Sequence, residues 1–446
     1  MTVNYSQCAS GGAGVNFTLE SLNAPAIRGQ EDLVSRAADK MIGLNEYNSL
    51  KGAVSFIGVT KRFEDVISTF SVPQGETPAG FRVESFLARE GVLMVDLVRD
   101  IGYDKNGIKR PTKTIFSADS ANPYEIAPIS GLLGNLTCNP GIVYDLFINN
   151  PKANVGNKFK TLEEVMTEIG NVLGAGCDIS VELNNPFEED FNKVLEEAAK
   201  FKEILSEYRV VIKVPHTGPV NGENVQELLT GDKKFSLRYD EASTADALRG
   251  HNLALKLREN GYRVNYTLMF EPYQTALALQ AKPAFINSFV RHRMKQSEKM
   301  NDLLSFFNMT RDVKYLEELR TFMVSVDLLN KNETARDLLS VKHLAEDIVA
   351  YRNYTNAEGR DGLDSVRHNL RLLKQNNLPD TRLIICSMEG PYNYPDIDKL
   401  IADPEFADVA DRLVITAEPG YLARFTSSNH VVSYQRRFMN AAATAK

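Results

Sequence analysis

The sequence predicts a parallel (β/α)₈ barrel preceded by an N-terminal extension. From residue 112 onward, short runs rich in Val, Ile, Leu and Phe alternate eight times with polar or amphipathic segments, which is typical of this fold. A doubly wound open sheet is the alternative, but no GxGxxG motif follows the first strand. We expect residues 112–446 to form the barrel with a C-terminal helical tail. Residues 1–111 are expected to form a mainly helical cap or interface, with an independent binding domain as the alternative.

The barrel elements can be assigned from the pattern of apolar residues. The eight predicted strands are 114–119, 132–139, 177–183, 209–215, 263–269, 284–290, 382–388 and 412–417. Amphipathic helices are predicted between several of them, at 161–173, 189–208, 244–261 and 361–377. Further helical patterns occupy 28–44 and 81–102 in the extension and 298–329 in the barrel.

Two connections are longer than the roughly 30 residues that a plain βα unit needs. They follow the fourth and sixth predicted strands. Because both insertions follow strands, we expect them at the C-terminal face, where barrel enzymes have their active sites.

Composition limits the classes of function. The chain has 446 residues, 43% of them hydrophobic and 24% charged, and a net charge of −7. This is an ordinary globular balance, and the absence of a basic block argues against nucleic-acid binding. We find no signal-peptide pattern and no apolar run as long as a membrane span. We therefore expect a cytoplasmic protein without a membrane partner, and leave open a homo-oligomer.

Cysteine and histidine spacing gives no sign of a metal or a cofactor. The four cysteines include no CxxC pair, and the six histidines include no HxH or HxxxH pair. Zinc sites use such spacings. We expect buried reduced thiols and chemistry that needs no cofactor.

A polar residue lies near the end of every predicted strand. Strand residues two apart share one face, and a barrel gathers its strand ends around one axis. Eight polar positions together therefore predict a common pocket, although any single one could be structural. They are Asp119, Thr137 with Asn139, Ser180 with Glu182, Lys213, Asn265 with Thr267, Asn287, Ser387 and Thr416.

The most informative of these residues is Lys213, in the apolar strand "VVIKVPHTGP" at 210–219. Lysine is almost never fully buried unless it is paired. Desolvation in a pocket is expected to lower its pKa and free the amine as a nucleophile. Such an amine forms a Schiff base with a carbonyl substrate, and Asp119 and Glu182 are the preceding strand-end acids. A simple ion pair between Lys213 and one of these acids is the alternative.

Several segments, taken in order, resemble the transaldolase family and its relative fructose-6-phosphate aldolase, which are class I enzymes on a (β/α)₈ barrel. The resemblance covers about residues 112–425. The segments are "SADSANP" (117–123), "LTCNPGIV" (136–143), "ISVEL" (179–183), "IKVPHT" (212–217), "NYTLMF" (265–270), "QTALAL" (274–279) and "FINSFV" (285–290).

The resemblance implies roles for the matching residues. Lys213 would be the Schiff-base lysine, and Asp119 the acid/base at the bond that breaks. Glu182 and Thr267 would hold a catalytic water. The implied substrate-binding residues are Asn139 and Asn265, with Thr137 in support, and Asn287 where the family usually has serine. Ser387 is a further candidate substrate-binding residue from the strand-end pattern.

The sequence departs from the family where a substrate phosphate would be held. The family has an arginine after strand six, where this chain has His292 between Arg291 and Arg293. A second family arginine, after strand seven, is replaced by Glu389. A carboxylate repels phosphate, whereas arginine binds it through two parallel hydrogen bonds. We therefore expect changed recognition at the phosphate end, with Glu389 accepting hydrogen bonds from substrate hydroxyls. The alternative is that Glu389 pairs with an arginine and orders it, while the remaining cation still binds phosphate.

Three functions follow from these observations. The first is a transferase that moves a dihydroxyacetone unit from a ketose or ketose phosphate to an aldehyde. The second is a class I aldolase that releases dihydroxyacetone to water, including one that acts on a non-phosphorylated sugar. The third is a non-catalytic barrel that serves as a binding or assembly protein.

Overall fold

The computed structural model describes residues 4–7, 13–387, 392–424 and 426–444. Strands and helices are numbered along this part of the chain. The strands are β1 (Asn4–Gln7), β2 (Ala13–Thr18), β3 (Met41–Ile42), β4 (Phe56–Val59), β5 (Phe81–Leu87), β6 (Val92–Arg99), β7 (Ile115–Asp119), β8 (Leu133–Cys138), β9 (Asp178–Glu182), β10 (Val210–Pro215), β11 (Val264–Thr267), β12 (Phe285–Val290), β13 (Arg382–Ser387) and β14 (Leu413–Ala417).

Helices connect and surround these strands. The α-helices are α1 (Glu31–Ser35), α2 (Leu44–Leu50), α3 (Lys61–Phe70), α4 (Pro123–Ile126), α5 (Leu162–Leu173), α6 (Phe191–Leu205), α7 (Gln226–Leu229), α8 (Thr244–Glu259), α9 (Pro272–Gln280), α10 (His292–Thr310), α11 (Lys314–Ser325), α12 (Leu338–Tyr351), α13 (Asp364–Gln375), α14 (Asn393–Ala402), α15 (Pro419–Arg424) and α16 (Asn429–Thr444). A π-helix spans Gly141–Ile148.

The strands from β7 to β14 form a closed barrel in which sequential neighbours pair and β14 pairs with β7. Every pair is parallel. The predicted (β/α)₈ fold is therefore confirmed, and each predicted strand overlaps one of these eight. Helices α5, α6, α8 and α13 lie within the segments predicted to be helical.

The barrel interior changes from apolar to polar along the strands. Near their N-terminal ends, Ile115, Val211, Phe285, Ile384 and Val414 form one buried cluster. Two positions further along, the residues on four of these strands are polar and buried: Ser117, Lys213, Asn287 and Thr416. On the fifth strand, β13, this position is the buried Cys386. Since the side chains at i and i+2 share a face, the apolar layer supports a polar layer above it, toward the C-terminal face.

The extension differs from the helical prediction. Residues 81–102 form the antiparallel pair β5 and β6, and the predicted helix at 28–44 is reduced to the short α1. Alternating burial along β6 shows the period of two that the helical interpretation missed. The turn between them uses Glu90 and Gly91, both with positive φ. A Cβ at Gly91 would lie 2.8 Å from the carbonyl oxygen of Ala53, so only glycine fits.

The extension packs on the N-terminal end of the barrel. Ile101 joins the apolar cluster inside the barrel. Arg99 Nε lies 2.6 Å from Asp178 Oδ1 at the start of β9, and Arg382 at the start of β13 lies 2.5 Å from Asp100. The extension therefore closes the end of the barrel opposite to the predicted active site.

Both predicted insertions are present. The segment between β10 and α8 contains the short helix α7, and the segment between β12 and α13 contains α10, α11 and α12. The last three helices share their own buried cluster, which includes Met300, Leu319 and Val341. Within the described ranges, no helix is long and apolar enough to cross a membrane.

Candidate active site

Lys213 lies in the middle of the polar layer, on β10. Its residue is only 5% exposed, and its Nζ is 3.2 Å from Glu182 Oε2 on β9. Nζ also donates a hydrogen bond of 3.2 Å to the backbone carbonyl of Cys138. The parallel register places Lys213 directly beside Glu182 on one side and Asn265 on the other. The strand pairing thus brings three predicted site residues together.

The charge state of Lys213 differs from the expectation based on burial alone. Burial lowers the pKa of Lys213, but the carboxylates of Glu182 and Asp119 outweigh this effect, so the pKa is raised. The expected lowering of the pKa is therefore wrong for the free protein. Lys213 is an ammonium at neutral pH, and it needs a proton acceptor before it can act as a nucleophile. Glu182 is the nearest carboxylate.

Asp119 is held at the end of β7 by a hydroxyl from the next strand. Thr137 Oγ1 donates a hydrogen bond of 2.8 Å to Asp119 Oδ1, and the register places Asp119 opposite Thr137. A carboxylate that accepts a hydrogen bond from a fixed donor is kept in one orientation. The hydrogen bond uses Oδ1 of Asp119, so Thr137 leaves Oδ2 for other partners.

A layer of hydroxyl and amide groups lies below Asp119 and Glu182. Asn135 Nδ2 donates to Ser117 Oγ at 2.9 Å, Ser180 Oγ donates to Asn135 Oδ1 at 3.3 Å, and Thr416 Oγ1 donates to Ser117 Oγ at 3.1 Å. All four residues are buried. Neither Asn135 nor Ser117 was predicted as a site residue from the sequence, although each lies two positions before a predicted site residue on the same strand face.

Asn265 and Asn287 form a second polar pair beside Lys213. Asn287 Nδ2 donates to Asn265 Oδ1 at 2.6 Å and to the carbonyl of Tyr266 at 2.7 Å. Asn265 is fully buried, and its Nδ2 has no hydrogen-bond partner among the described residues. Such an unsatisfied buried donor is costly unless a ligand accepts the bond.

The remaining predicted residues of the pocket have different surroundings. Thr267 is buried at the end of β11. Asn139 follows β8, and its Oδ1 accepts a hydrogen bond of 2.9 Å from the backbone N–H of Ile142. Ser387 ends β13 and pairs in register with Val290. Glu389 lies outside the described residues.

Arg291 and Arg293 both bind carboxylates of the protein. Arg291 Nε and Nη2 donate to the two oxygens of Asp396, at 2.7 and 2.8 Å. Arg293 lies 2.7 Å from Glu271 and 2.8 Å from Asp364. Each guanidinium is therefore neutralised by protein groups.

His292 begins α10 between these two arginines. Its ring lies 5.1 Å from that of Phe270, and its Nε2 is 3.5 Å from Gln296 Nε2. The residue at the position of the family arginine is thus held against an aromatic ring and an amide.

Neither the cysteines nor the acidic and histidine residues form a metal centre in the described ranges. No group of three or more His, Cys, Asp or Glu side chains is arranged to hold a metal ion there. Cys138, Cys177 and Cys386 are free and buried. Burial raises the pKa of the Cys138 and Cys177 thiols to about 12, so these thiols are protonated and unreactive at neutral pH.

The fold and this arrangement define a (β/α)₈-barrel protein with a lysine-centred polar pocket formed by its strand ends. The family model described as transaldolase/fructose-6-phosphate aldolase matches residues 116–393, which is more than half of the chain. The chain belongs to this family, and the resemblance found in the sequence is confirmed. The family indicates an enzyme of the aldolase or transaldolase type. A search of curated proteins found no match to the chain.

Proposed function

We propose that the protein transfers a three-carbon dihydroxyacetone unit from a ketose or ketose phosphate to an aldehyde, through a Schiff base on Lys213. The observation that carries this proposal is the contact of 3.2 Å between Lys213 Nζ and Glu182 Oε2. It provides a buried amine with an adjacent proton acceptor, as nucleophilic catalysis by lysine requires. The family match supports carbon–carbon bond chemistry on a sugar phosphate.

Imine formation begins when Glu182 takes a proton from the Lys213 ammonium. The free amine attacks C2 of the ketose, and the C2 oxygen is protonated to give a carbinolamine. Loss of that hydroxyl as water leaves the iminium. Glu182 supplies and removes these protons, and a water held with the Thr267 hydroxyl completes the relay. Both groups belong to the strands that flank β10.

Cleavage of the carbon–carbon bond follows from the iminium. Asp119 takes the proton of the C4 hydroxyl, the C3–C4 bond breaks, and its electron pair moves into the iminium to give an enamine. The aldehyde that contains C4 leaves. An acceptor aldehyde then undergoes the reverse sequence, in which Asp119 returns the proton to the new hydroxyl. The hydrogen bond from Thr137 orients Asp119 for this role.

The amide donors of the pocket bind the hydroxyls of the dihydroxyacetone unit. Asn265 Nδ2 is a buried donor beside Lys213, and Asn287 fixes the orientation of that amide through its hydrogen bond to Oδ1. Asn139 contributes its amide N–H groups, since its Oδ1 already accepts a backbone hydrogen bond.

The second candidate is an aldolase that releases dihydroxyacetone to water and acts on sugars without a terminal phosphate. The ion pairs of Arg291 with Asp396 and of Arg293 with Glu271 favour weak phosphate binding. Arginine binds phosphate strongly when its fork is available for two parallel hydrogen bonds. In these pairs the forks bind carboxylates instead.

Reductive trapping tests the proposal. Fructose 6-phosphate with borohydride is expected to add a three-carbon or six-carbon sugar adduct to the peptide that contains Lys213. Lys213→Ala should abolish the adduct, and Lys213→Arg should be inactive because guanidinium stays protonated. Mass analysis with an aldehyde acceptor distinguishes a new ketose from free dihydroxyacetone. No adduct with phosphorylated or unphosphorylated ketoses would favour the non-catalytic barrel.

A further inference from the structure

A deep cleft lies between the extension and the N-terminal end of the barrel. Its volume is about 1200 Å³, and its walls come from β6, the segment before β11, the start of β12, and the residues that precede and begin β13. Among the described residues, its lining includes ten Lys and Arg side chains but only five Asp side chains. Asp96 and Glu84, which lie outside the lining, form ion pairs with Arg62 and Arg82, so the cleft carries an excess of three positive charges in a chain whose net charge is −7.

Two arginines at the base of the cleft share one carboxylate. Asp178 is fully buried, and its two oxygens lie 2.6 Å from Arg99 Nε and 2.7 Å from Arg263 Nη2. The Arg99 side chain is only 7% exposed. Arg99 Nη2 and Arg263 Nη1 are buried without a hydrogen-bond partner among the described residues. The N–H groups of these two nitrogens are thus unsatisfied. They lie where two guanidinium cations share a single carboxylate, which leaves one positive charge unbalanced.

Further cations of the cleft lack a carboxylate partner in the described ranges. Arg258 donates to the carbonyl of Ala281 at 3.2 Å, and neither Arg258 nor the neighbouring Lys282 forms an ion pair. Both side chains belong to exposed residues. Arg412 donates only to backbone carbonyls.

A purely structural role explains only part of this arrangement. Ion pairs such as Arg82 with Asp380 and Lys109 with Asp411 join the extension to the barrel and balance their charges. A network that served stability alone would satisfy its buried donors, as most native structures do. The unsatisfied guanidinium N–H groups and the surplus charge instead match a multiply charged anion.

We propose that this cleft binds a phosphorylated small molecule with at least two negative charges. The phosphate faces the guanidinium groups of Arg99 and Arg263 at the base of the cleft, and the outer part of the ligand faces Arg258 and Lys282. Guanidinium groups suit phosphate oxygens in geometry and charge. The site is separate from the sugar pocket, because it lies at the strand ends opposite to Lys213. It goes beyond the proposed catalytic function.

Calorimetric titration with inorganic pyrophosphate tests this site in the full chain. The double variant Arg258→Gln with Lys282→Gln should raise the Kd about tenfold or more, since each 1.4 kcal/mol of a lost charged hydrogen bond is a factor of ten. The control double variant Arg436→Gln with Lys200→Gln has the same charge change on exposed side chains outside the cleft. It should bind like the wild type. Arg263→Lys keeps the charge near Asp178 and should also weaken binding.

The Lys213→Ala variant tests whether pyrophosphate binds in the sugar pocket and not in the cleft. Pyrophosphate should bind this variant with unchanged affinity and a stoichiometry of one. Binding that disappears in Lys213→Ala would place the anion in the sugar pocket and overturn the proposal. The proposal also fails if the wild type shows no binding, or if the cleft double variant and the control bind equally well.

Discussion

The Lys213 ammonium and the Glu182 carboxylate lie 3.2 Å apart at directly paired positions of two neighbouring barrel strands. Glu182, Asp119 and the Cys138 carbonyl stabilise the ammonium, although burial opposes it. The resting pair is therefore a protonated lysine and a carboxylate. In the proposed reaction this pair is the starting state, because proton transfer to Glu182 produces the nucleophile.

The rate of imine formation is expected to rise with pH. The pKa of Lys213 is raised above its ordinary value of 10.5, so a higher pH increases the fraction of free amine. Glu182→Gln removes a carboxylate that raises this pKa and should move the rising limb to lower pH. It should also slow trapping by roughly 10²-fold, the usual scale for loss of a general acid or base. Borohydride trapping rates across the alkaline range measure both effects.

The same pair has a defined effect on stability. Because the folded-state pKa of Lys213 is raised, its contribution to folding is present at neutral pH. That contribution is lost as the pH rises through the folded-state pKa. Glu182→Gln should weaken this alkaline dependence. If the pH dependence of the borohydride trapping rate were unchanged in Glu182→Gln, Glu182 would not control the charge of Lys213.

Asp119→Asn should separate cleavage from imine formation. The variant should still trap a ketose on Lys213, but single-turnover cleavage should fall roughly 10²-fold because the C4 hydroxyl has lost its base. Thr137→Val removes the hydrogen bond that orients Asp119 and should slow cleavage less, while Thr137→Ser should restore it. Wild-type cleavage in Asp119→Asn would contradict the assigned role.

Asn265 and Asn287 should behave as a coupled pair. Asn265→Ala removes the buried donor beside Lys213 and should raise the KM for the ketose. Asn287→Ala should act in the same direction, because it frees the amide of Asn265 to rotate. Residues in direct contact have coupling energies of about 0.5–3 kcal/mol. A double-mutant cycle on kcat/KM should show such coupling, and strict additivity would argue against a positioning role for Asn287.

The sequence was sufficient to predict the barrel and the neighbours of Lys213. Alternating apolar runs identify parallel strands, and the polar residue at each strand end follows from the period of two. The segment 81–102 was predicted wrongly, because its apolar residues fit a helical period as well as two strands joined by the turn at Glu90 and Gly91.

Other features depend on distances between strands that are far apart in sequence. The pKa of Lys213 is set by a balance between burial and two carboxylates, and composition does not determine which effect is larger. The partners of Arg291 and Arg293 lie in α14 and in segments before α9 and at the start of α13. No local pattern near the arginines identifies those partners.

Asp178→Asn should destabilise the junction between the extension and the barrel by about 3–5 kcal/mol, the usual cost of breaking a buried ion pair. Burial raises the pKa of Asp178, but Arg263 and Arg99 outweigh it and lower the pKa overall. Its stabilising contribution is therefore present at neutral pH and lost as the pH falls through the lowered pKa. Urea unfolding at neutral and acidic pH measures this effect.

The exposed ion pair of Lys374 with Asp408 provides the control for that experiment. Asp408→Asn should change stability little, since surface ion pairs contribute weakly. Equal effects of the two substitutions would show that the shared carboxylate of Asp178 has no special role at the junction.

The last prediction concerns the phosphate end of the substrate. Arg291 donates through Nε and Nη2 to the two carboxylate oxygens of Asp396, and Arg293 is buried between Glu271 and Asp364. A substrate phosphate would have to compete with these carboxylates, so we expect the wild type to show little preference for fructose 6-phosphate over fructose.

Glu389→Arg replaces a negative charge by a cation at the position where the family has arginine. It should raise the kcat/KM ratio for the phosphorylated sugar about tenfold or more, which corresponds to one charged hydrogen bond. Arg293→Ala should reduce stability more than it changes this ratio, because it removes the buried cation that the half-buried Glu271 and Asp364 share, although Glu271 keeps its ion pair with Arg352. A different result would contradict this prediction. If the wild type strongly prefers fructose 6-phosphate and Arg291→Ala abolishes that preference, Arg291 leaves Asp396 to bind the substrate.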